Sequence, residues 1–253
     1  MNGTLVSIIV PVYNAKNFIK QTIESVTEGS FADFELLLID DKSNDGTAEY
    51  LDEICEKMQD PRIKVFHLSE NMGAAKARNF ALKKAEGRYI SYIDADDIWK
   101  TDKLKNEMEF MNKKDAAFVF TGYEFADENG IGTGKIVQVP EKITYREALG
   151  NTTIFTSTVL FDTKKIPKEN LEMPIIKSED TALWWKVLRS GITGYGLNEN
   201  LVLYRRAGRS LSSNKLEALR RIWNLYRKAE HLSVVKSSFY FTKWAINAVK
   251  RRV

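Results

Sequence analysis

The chain is predicted to be an α/β protein, with a mainly parallel open sheet flanked by helices and a helical appendage at the C-terminal end. Three observations carry that prediction. Short apolar runs alternate with helical patterns over residues 5–93, two of those runs end in clustered aspartates, and residues 214–252 read as basic helix.

Taken in order, a strand over 5–10 leads through Pro11-Val12-Tyr13-Asn14 into a helix over 15–28. A strand over 34–39 meets Asp40-Asp41 and then a helix over 46–59. A strand over 63–67 precedes a helix over 73–86, with Gly87 as its stop, and a strand over 89–93 runs into Asp94-Ala95-Asp96-Asp97. Such units imply parallel pairing with right-handed crossovers. Beyond them come a helix over 101–113 and a strand over 116–125. Gly130, Gly132 and Gly134 read as a hairpin turn; no helix follows them, so they are not a dinucleotide fingerprint. A strand over 157–162, a loop with Pro167 and Pro174, and a helix opened by Ser178-Glu179-Asp180 complete the body. Leu183, Trp184, Val187 and Leu188 share one face of that last helix, and Gly191 ends it. The expected division is a body over 1–213 and an appendage over 214–253.

With 253 residues, 43% hydrophobic and 28% charged, the chain has ample material for a core. Its one cysteine, Cys55, permits no internal disulfide and reads as a buried thiol in a reducing compartment. The N-terminus enters a strand with no secretory pattern before it, and no apolar run approaches the ~18 residues of a membrane span. The net charge of +4 is unevenly spread: residues 220–253 hold nine Lys/Arg against one acid, Glu230, while the rest holds 29 basic and 33 acidic residues. An acidic body is no nucleic-acid binder; the basic tail points to an anionic surface.

Carboxylates at the carboxyl ends of parallel strands face the crevice where open α/β sheets bind ligands. Each aspartate alone could be a cap or turn former. Five together repel one another unless donors or a cation compensate, so the joint expectation is metal-assisted binding of a nucleoside diphosphate. Asp94-x-Asp96 suits Mg²⁺, which takes one or two carboxylates and leaves positions for phosphates.

The ordered set Ser7-Ile8-Ile9-Val10-Pro11-Val12-Tyr13-Asn14, Asp40-Asp41-x-Ser43-x-Asp45-Gly46-Thr47, Asn71-x-Gly73-x-x-x-Ala77-Arg78-Asn79 and Asp94-Ala95-Asp96-Asp97 resembles family 2 of the inverting glycosyltransferases. Ser178-Glu179-Asp180 before Trp184-Trp185, and Tyr204-Arg205 before Ser210-Leu211-Ser212, extend the match over residues 5–213. The resemblance implies a Rossmann-like GT-A fold, a nucleotide-sugar donor and Mn²⁺ or Mg²⁺. Carried over by position, it implies Pro11 and Tyr13 at the base, Asp41 on the uracil imide, Gly73 and Arg78 beside the donor, Asp94 near the ribose or sugar, and Asp96 on the cation. Asp180 becomes the base, kept ionised by its helix N-terminus, with Glu179 beside it.

Two departures matter. The Gln-x-x-Arg-Trp pattern of processive members is missing, implying transfer of a single sugar, and Ala207 stands where many non-processive members carry histidine. Arg205, Arg206 or Arg209 would then assist the phosphates, and Trp185 is the tryptophan expected to meet sugar. In the tail, Lys236, Tyr240, Lys243, Asn247 and Lys250 form a polar stripe opposite Val234, Phe241, Trp244, Ala245 and Ala248. Either that apolar side docks on the body, or it enters a membrane interface. The expected acceptor is a lipid-linked oligosaccharide of a bacterial surface polysaccharide, met at the cytoplasmic face of the membrane, with direct transfer to polyprenyl phosphate as the alternative. A Mg²⁺-bound phosphorylation pocket and a silent nucleotide- or glycan-binding protein are rivals from other classes. The second acidic cluster and Asp180 weigh against both.

Overall fold

The computed structural model describes residues 5–206 and 215–250; Ala207, Arg209 and the 210–212 motif lie outside them, as does the boundary expected after residue 213. The alternation is present: β1 (Val6–Val12), α1 (Ile19–Thr27), β2 (Phe34–Asp40), α2 (Thr47–Met58), β3 (Ile63–His67), α3 (Ala74–Lys84) and β4 (Tyr89–Tyr92). Then come β5 (Ile98–Trp99), α4 (Lys103–Lys114), β6 (Phe118–Ala126), β7 (Gly132–Val137), β8 (Lys142–Ile143), α5 (Tyr145–Leu149), β9 (Val159–Asp162), α6 (Glu179–Arg189) and β10 (Gly194–Arg205). The tail holds α7 (Lys215–Asn224), a π-helical turn at Leu225–Ala229, and α8 (Val234–Lys250).

The strands form one open, mixed sheet in the order β3-β2-β1-β4-β9-β6-β10-β5, with β7 on β6 and β8 on β10. β1 to β4 are mutually parallel, β9 is antiparallel to both β4 and β6, and β10 is parallel to β6. The chain winds outward from β1 to β3 and returns with β4 on the other side of β1, which puts a switch point at the carboxyl ends of β1 and β4. Helices α1, α2 and α4 cover one face of the sheet; α3, α5, α6 and the tail cover the other.

Three expectations change. Gly87 does not stop α3, which ends at Lys84; a Cβ there would stand 2.7 Å from the Leu5 carbonyl and Ser7 nitrogen. Its role is close approach to β1, with its N–H donating to Ser7 Oγ at 2.8 Å. β10 was not foreseen, because register shifts at Asn200 interrupt its alternation. Finally, the inward face of α8 holds Phe241 and Trp244 of the apolar side, as the docking alternative has it, but also Asn247 of the polar stripe. Phe241 packs edge-on to Trp223, Trp244 Nε1 donates to Thr152 Oγ1 at 3.0 Å, and Asn247 Nδ2 donates to the Gly150 carbonyl at 2.8 Å. Trp244 and Asn247 dock on the body and Phe241 on α7 of the tail, so this face is not offered to a bilayer.

Trp185 is part of the same docking and is buried, which removes it from contact with sugar. Its ring stacks on Tyr226 at 5.2 Å and 9°, and its Nε1 donates to the Ala148 carbonyl at 3.1 Å. Trp185→Ala is therefore expected to cost about 3–5 kcal/mol of unfolding free energy, measured by denaturant titration. A loss within experimental error would show that the tail does not pack on α6.

Candidate active site

Loops at the carboxyl ends of β1, β2 and β4 are tied together by short polar contacts. Asn14, in a left-handed conformation (φ 50°), accepts from the Asn44 N–H at 2.9 Å through Oδ1 and donates its own N–H to Ser43 Oγ at 3.0 Å. Tyr13 stands on this loop with 49% of its surface exposed, next to Pro11 at the end of β1. Asp41 is buried, and its two oxygens accept the N–H groups of Met72 and Gly73, each at 2.7 Å. Gly73 adopts φ 84° to bring that second N–H inward, a conformation that suits a residue without Cβ. Asn71 Nδ2 closes the turn on the Asp41 carbonyl at 3.0 Å.

Arg78, buried on α3, is the centre of the arrangement. Its Nη2 donates to Asp94 Oδ1 at 2.5 Å and its Nη1 to Glu179 Oε1 at 2.9 Å, with Met173 Sδ at 3.7 Å. Burial works against the guanidinium charge, but Asp94 and Glu179 outweigh it and raise the pKa. Asn79, one residue on, clamps Met173 by exchanging two backbone hydrogen bonds at 2.7 and 2.9 Å. One arginine thus links the end of β4 to the start of α6.

The aspartates do not all converge. Asp40 turns toward His67, whose Nδ1 lies 3.5 Å away. Asp97 is buried, accepting from Ser157 Oγ at 2.5 Å and the Arg205 N–H at 3.2 Å; burial and the charges of Asp94 and Asp96 push its pKa well up. Asp41, Asp94 and Asp96 remain at the edge. Asp96 is half-buried, and burial together with the Asp94 charge pushes its pKa up to about 6.

Asp180 occupies the first turn of α6, receiving Thr181 N–H at 2.6 Å and Thr156 Oγ1 at 3.2 Å. The helix terminus was expected to favour its charged form. Burial and the neighbouring Glu179 instead raise its pKa, which brings the carboxylate closer to the operating range of a general base. Because the Glu179 charge contributes to that rise, Glu179→Gln should move the acid limb of the pH–rate profile to lower pH. An acid limb that stays in place would remove Asp180 from the rate-limiting ionisation.

Of the basic residues expected at phosphate, Arg205 is buried: its guanidinium lies over the Phe18 ring at 4.8 Å and donates to Gln21 Oε1 at 2.5 Å. That enclosure withdraws it from ligand contact. Arg206 is exposed and stacks over Phe125 at 4.0 Å. Beside it is a group the sequence did not reveal, in which Tyr123, Phe125, Phe155 and Tyr204 meet ring to ring at 4.3–6.0 Å. Phe155 precedes Thr156, the partner of Asp180, so this half-buried aromatic wall adjoins Asp180.

The sequence profile of Glycosyl transferase family 2 matches residues 7–163, a span that holds every strand end described above except that of β10. The chain belongs to this family. As a family 2 member it is a glycosyltransferase with the GT-A fold. It is 43% identical over 250 residues, 98% of either chain, to a Bacillus subtilis protein whose provisional name is teichuronic acid biosynthesis glycosyltransferase TuaG. It is 38% identical over 226 residues (89% of this chain, 86% of the relative) to the Escherichia coli UDP-Glc:alpha-D-GlcNAc-diphosphoundecaprenol beta-1,3-glucosyltransferase WfgD. Among solved structures, Staphylococcus aureus TarS 1–349 with UDP-GlcNAc superposes with a TM-score of 0.69 at 22% identity, covering 95% of this chain and 71% of TarS. The Pyrobaculum calidifontis mannosyltransferase PcManGT, with GDP-Man and Mn²⁺, gives 0.72 at 17% identity, covering 96% and 73%. At those identities the structures speak for the fold alone.

Proposed function

We propose that this glycosyltransferase moves one sugar from a UDP-sugar, with inversion, to a hydroxyl of a lipid-linked oligosaccharide in the assembly of a bacterial surface polysaccharide, at the cytoplasmic face of the membrane. The observation that carries the reading is the Arg78 bridge. A buried cation holding Asp94 and Glu179 together fixes the distance between a donor-side strand end and the helix that bears Asp180. The names of WfgD and TuaG support the acceptor class.

In this reading Tyr13 offers its ring to the base, next to Pro11. Asp41, held by the Met72 and Gly73 amides, keeps lone pairs for the uracil imide N–H. Asp94, steadied by buried Arg78, faces the ribose or sugar, and the aromatic wall with Arg206 receives the acceptor. Asp96 is the residue that would hold a divalent cation, Mn²⁺ or Mg²⁺: it is half-buried and carries a carboxylate beside the Asp94 charge. When bound, such an ion neutralises charge developing on the diphosphate.

The chain's own residues do the rest. The acceptor hydroxyl oxygen bonds to the anomeric carbon from the face opposite the diphosphate, and its proton passes to the Asp180 carboxylate. The bond from that carbon to the diphosphate oxygen breaks, and the electron pair leaves with the nucleotide. A screen of UDP- and GDP-sugars for donor hydrolysis, followed by NMR of a transfer product, tests the reading. An α-linked UDP-sugar should be consumed and give a β-linkage; retention, or consumption of GDP-sugars alone, would overturn it.

A further inference from the structure

Helix α8 has two unlike faces. Ser237 is fully buried, Tyr240 and Phe241 pack on Tyr226 and Trp223 of the preceding tail segments, and Trp244 and Asn247 bond to the body. On the opposite side Val235, Phe239, Thr242 and Ile246 recur at the i, i+4, i+7, i+11 spacing of a single stripe. Val235 is 80% exposed, Phe239 65% and Ile246 53%, so the apolar members of that stripe have no cover in the folded chain. An exposed apolar row of this kind marks an interaction surface.

The charge around it selects the occupant. Arg220, Lys228, Lys236 and Lys243 are exposed. Glu230, the one acid between residues 220 and 253, contributes nothing to this surface. Its side chain is 2% exposed and accepts from Arg189 Nη1 at 2.6 Å and the Tyr145 hydroxyl at 2.5 Å. An apolar stripe flanked by exposed cations, of which Lys243 has Glu147 and Arg220 has Glu217 within electrostatic reach while Lys228 and Lys236 face solvent, complements the headgroup boundary of an anionic bilayer. A second copy of the chain would bring the same cations face to face, which disfavours self-association through this surface.

We propose that the outward face of α8, carried by Val235, Phe239 and Ile246 with Lys236 and Lys243 at its edge, docks the protein on an anionic lipid bilayer. Helix α7, which leads toward α8, is tied to the site. Lys177 Nζ contacts Glu217 Oε1 at 2.7 Å, joining the start of α7 to the segment that opens α6 and bears Asp180. Docking there presents the base helix toward an acceptor whose lipid stays in the membrane. The use of the docking rests on the lipid-linked acceptor; the docking itself does not.

The test sediments the intact protein with vesicles of phosphatidylcholine alone and of phosphatidylcholine mixed with phosphatidylglycerol. The wild type should bind only the mixed vesicles, and less as salt rises from about 0.1 M to about 1 M and the Debye length shrinks from about 10 Å to about 3 Å. Phe239→Glu with Ile246→Glu should lower the partition coefficient roughly tenfold or more while leaving the melting temperature and donor hydrolysis unchanged, because both side chains face solvent. If that pair fails to fold, Lys228→Glu with Lys236→Glu carries the same test through charge. Wild type that ignores mixed vesicles, variants that bind like wild type, or a dimer abolished by the variants in sedimentation equilibrium would overturn the proposal. Vesicle binding needs neither donor nor acceptor, so its failure leaves the transfer reaction standing, and failure of the reaction leaves the vesicle result intact.

Discussion

Asp180→Asn is expected to lower kcat by about 10²–10⁴ while leaving donor affinity near that of the wild type. The amide has nearly the same shape: its oxygen can still accept from the Thr181 N–H, and its NH2, in place of the second oxygen, can donate to the Thr156 hydroxyl. What it cannot do is take the acceptor proton during attack. The ground-state complex with donor makes no demand on that proton, so the loss should appear in kcat and not in the dissociation constant for UDP-sugar. In the wild type, burial and Glu179 raise the Asp180 pKa, so activity should fall on acidification at a pH above the usual carboxylate range near 4. The sign follows from the base having to be deprotonated: a raised pKa moves the acid limb upward. Single-turnover kinetics with saturating donor separate the two quantities. Lost donor binding with normal turnover of whatever donor binds would assign Asp180 to the donor site instead.

The parts of this site legible in the sequence are those fixed by local pattern. β2 is buried along all seven of its residues, as a central parallel strand must be, so its stretch 36–39 reads as an unbroken apolar run that ends where Asp40 and Asp41 begin. The same logic exposed β1 and β4. Contacts distant in sequence were hidden. Asp96 and Asp97 are adjacent and chemically identical, yet Asp97 is taken up by Ser157, 60 positions away, and only Asp96 is left at the edge. Arg78 was visible as part of a motif, but its link to Glu179 spans 101 positions. Trp184 follows from helical periodicity, whereas Trp185 is enclosed by partners distant in sequence, Tyr226 of the tail and the Ala148 carbonyl of α5. The tail stripe was misassigned for a related reason: its polar and apolar residues were sorted by chemistry, while the docked face uses both, with Tyr240 and Asn247 beside Phe241 and Trp244.

Asp96→Asn should have the larger effect, abolishing nearly all turnover and uncoupling nucleotide binding from the metal. Its neighbours cannot take over. Asp94 is held by Arg78 at 2.5 Å, and Asp97 is buried under Ser157 and the Arg205 backbone. A cation bound here would draw on Asp96, with the diphosphate and water as its other ligands. Loss of that ligand should exceed the roughly 10–100-fold cost of removing an outer partner of a metal ligand. Titration calorimetry of UDP with Mn²⁺ and with chelator gives the comparison. Wild type should bind UDP tightly only with Mn²⁺, whereas Asp96→Asn should bind equally weakly in both conditions, near the chelated wild type. Protons compete for the same oxygens, and burial with the Asp94 charge puts the Asp96 pKa at about 6, so Mn²⁺-dependent affinity in the wild type should fall as pH drops through that value. The variant, carrying an amide that does not titrate, should lose that pH dependence together with its response to Mn²⁺. Metal-stimulated UDP binding that survives the substitution would move the cation to other ligands, and turnover indifferent to both chelator and substitution would remove the cation from the reaction.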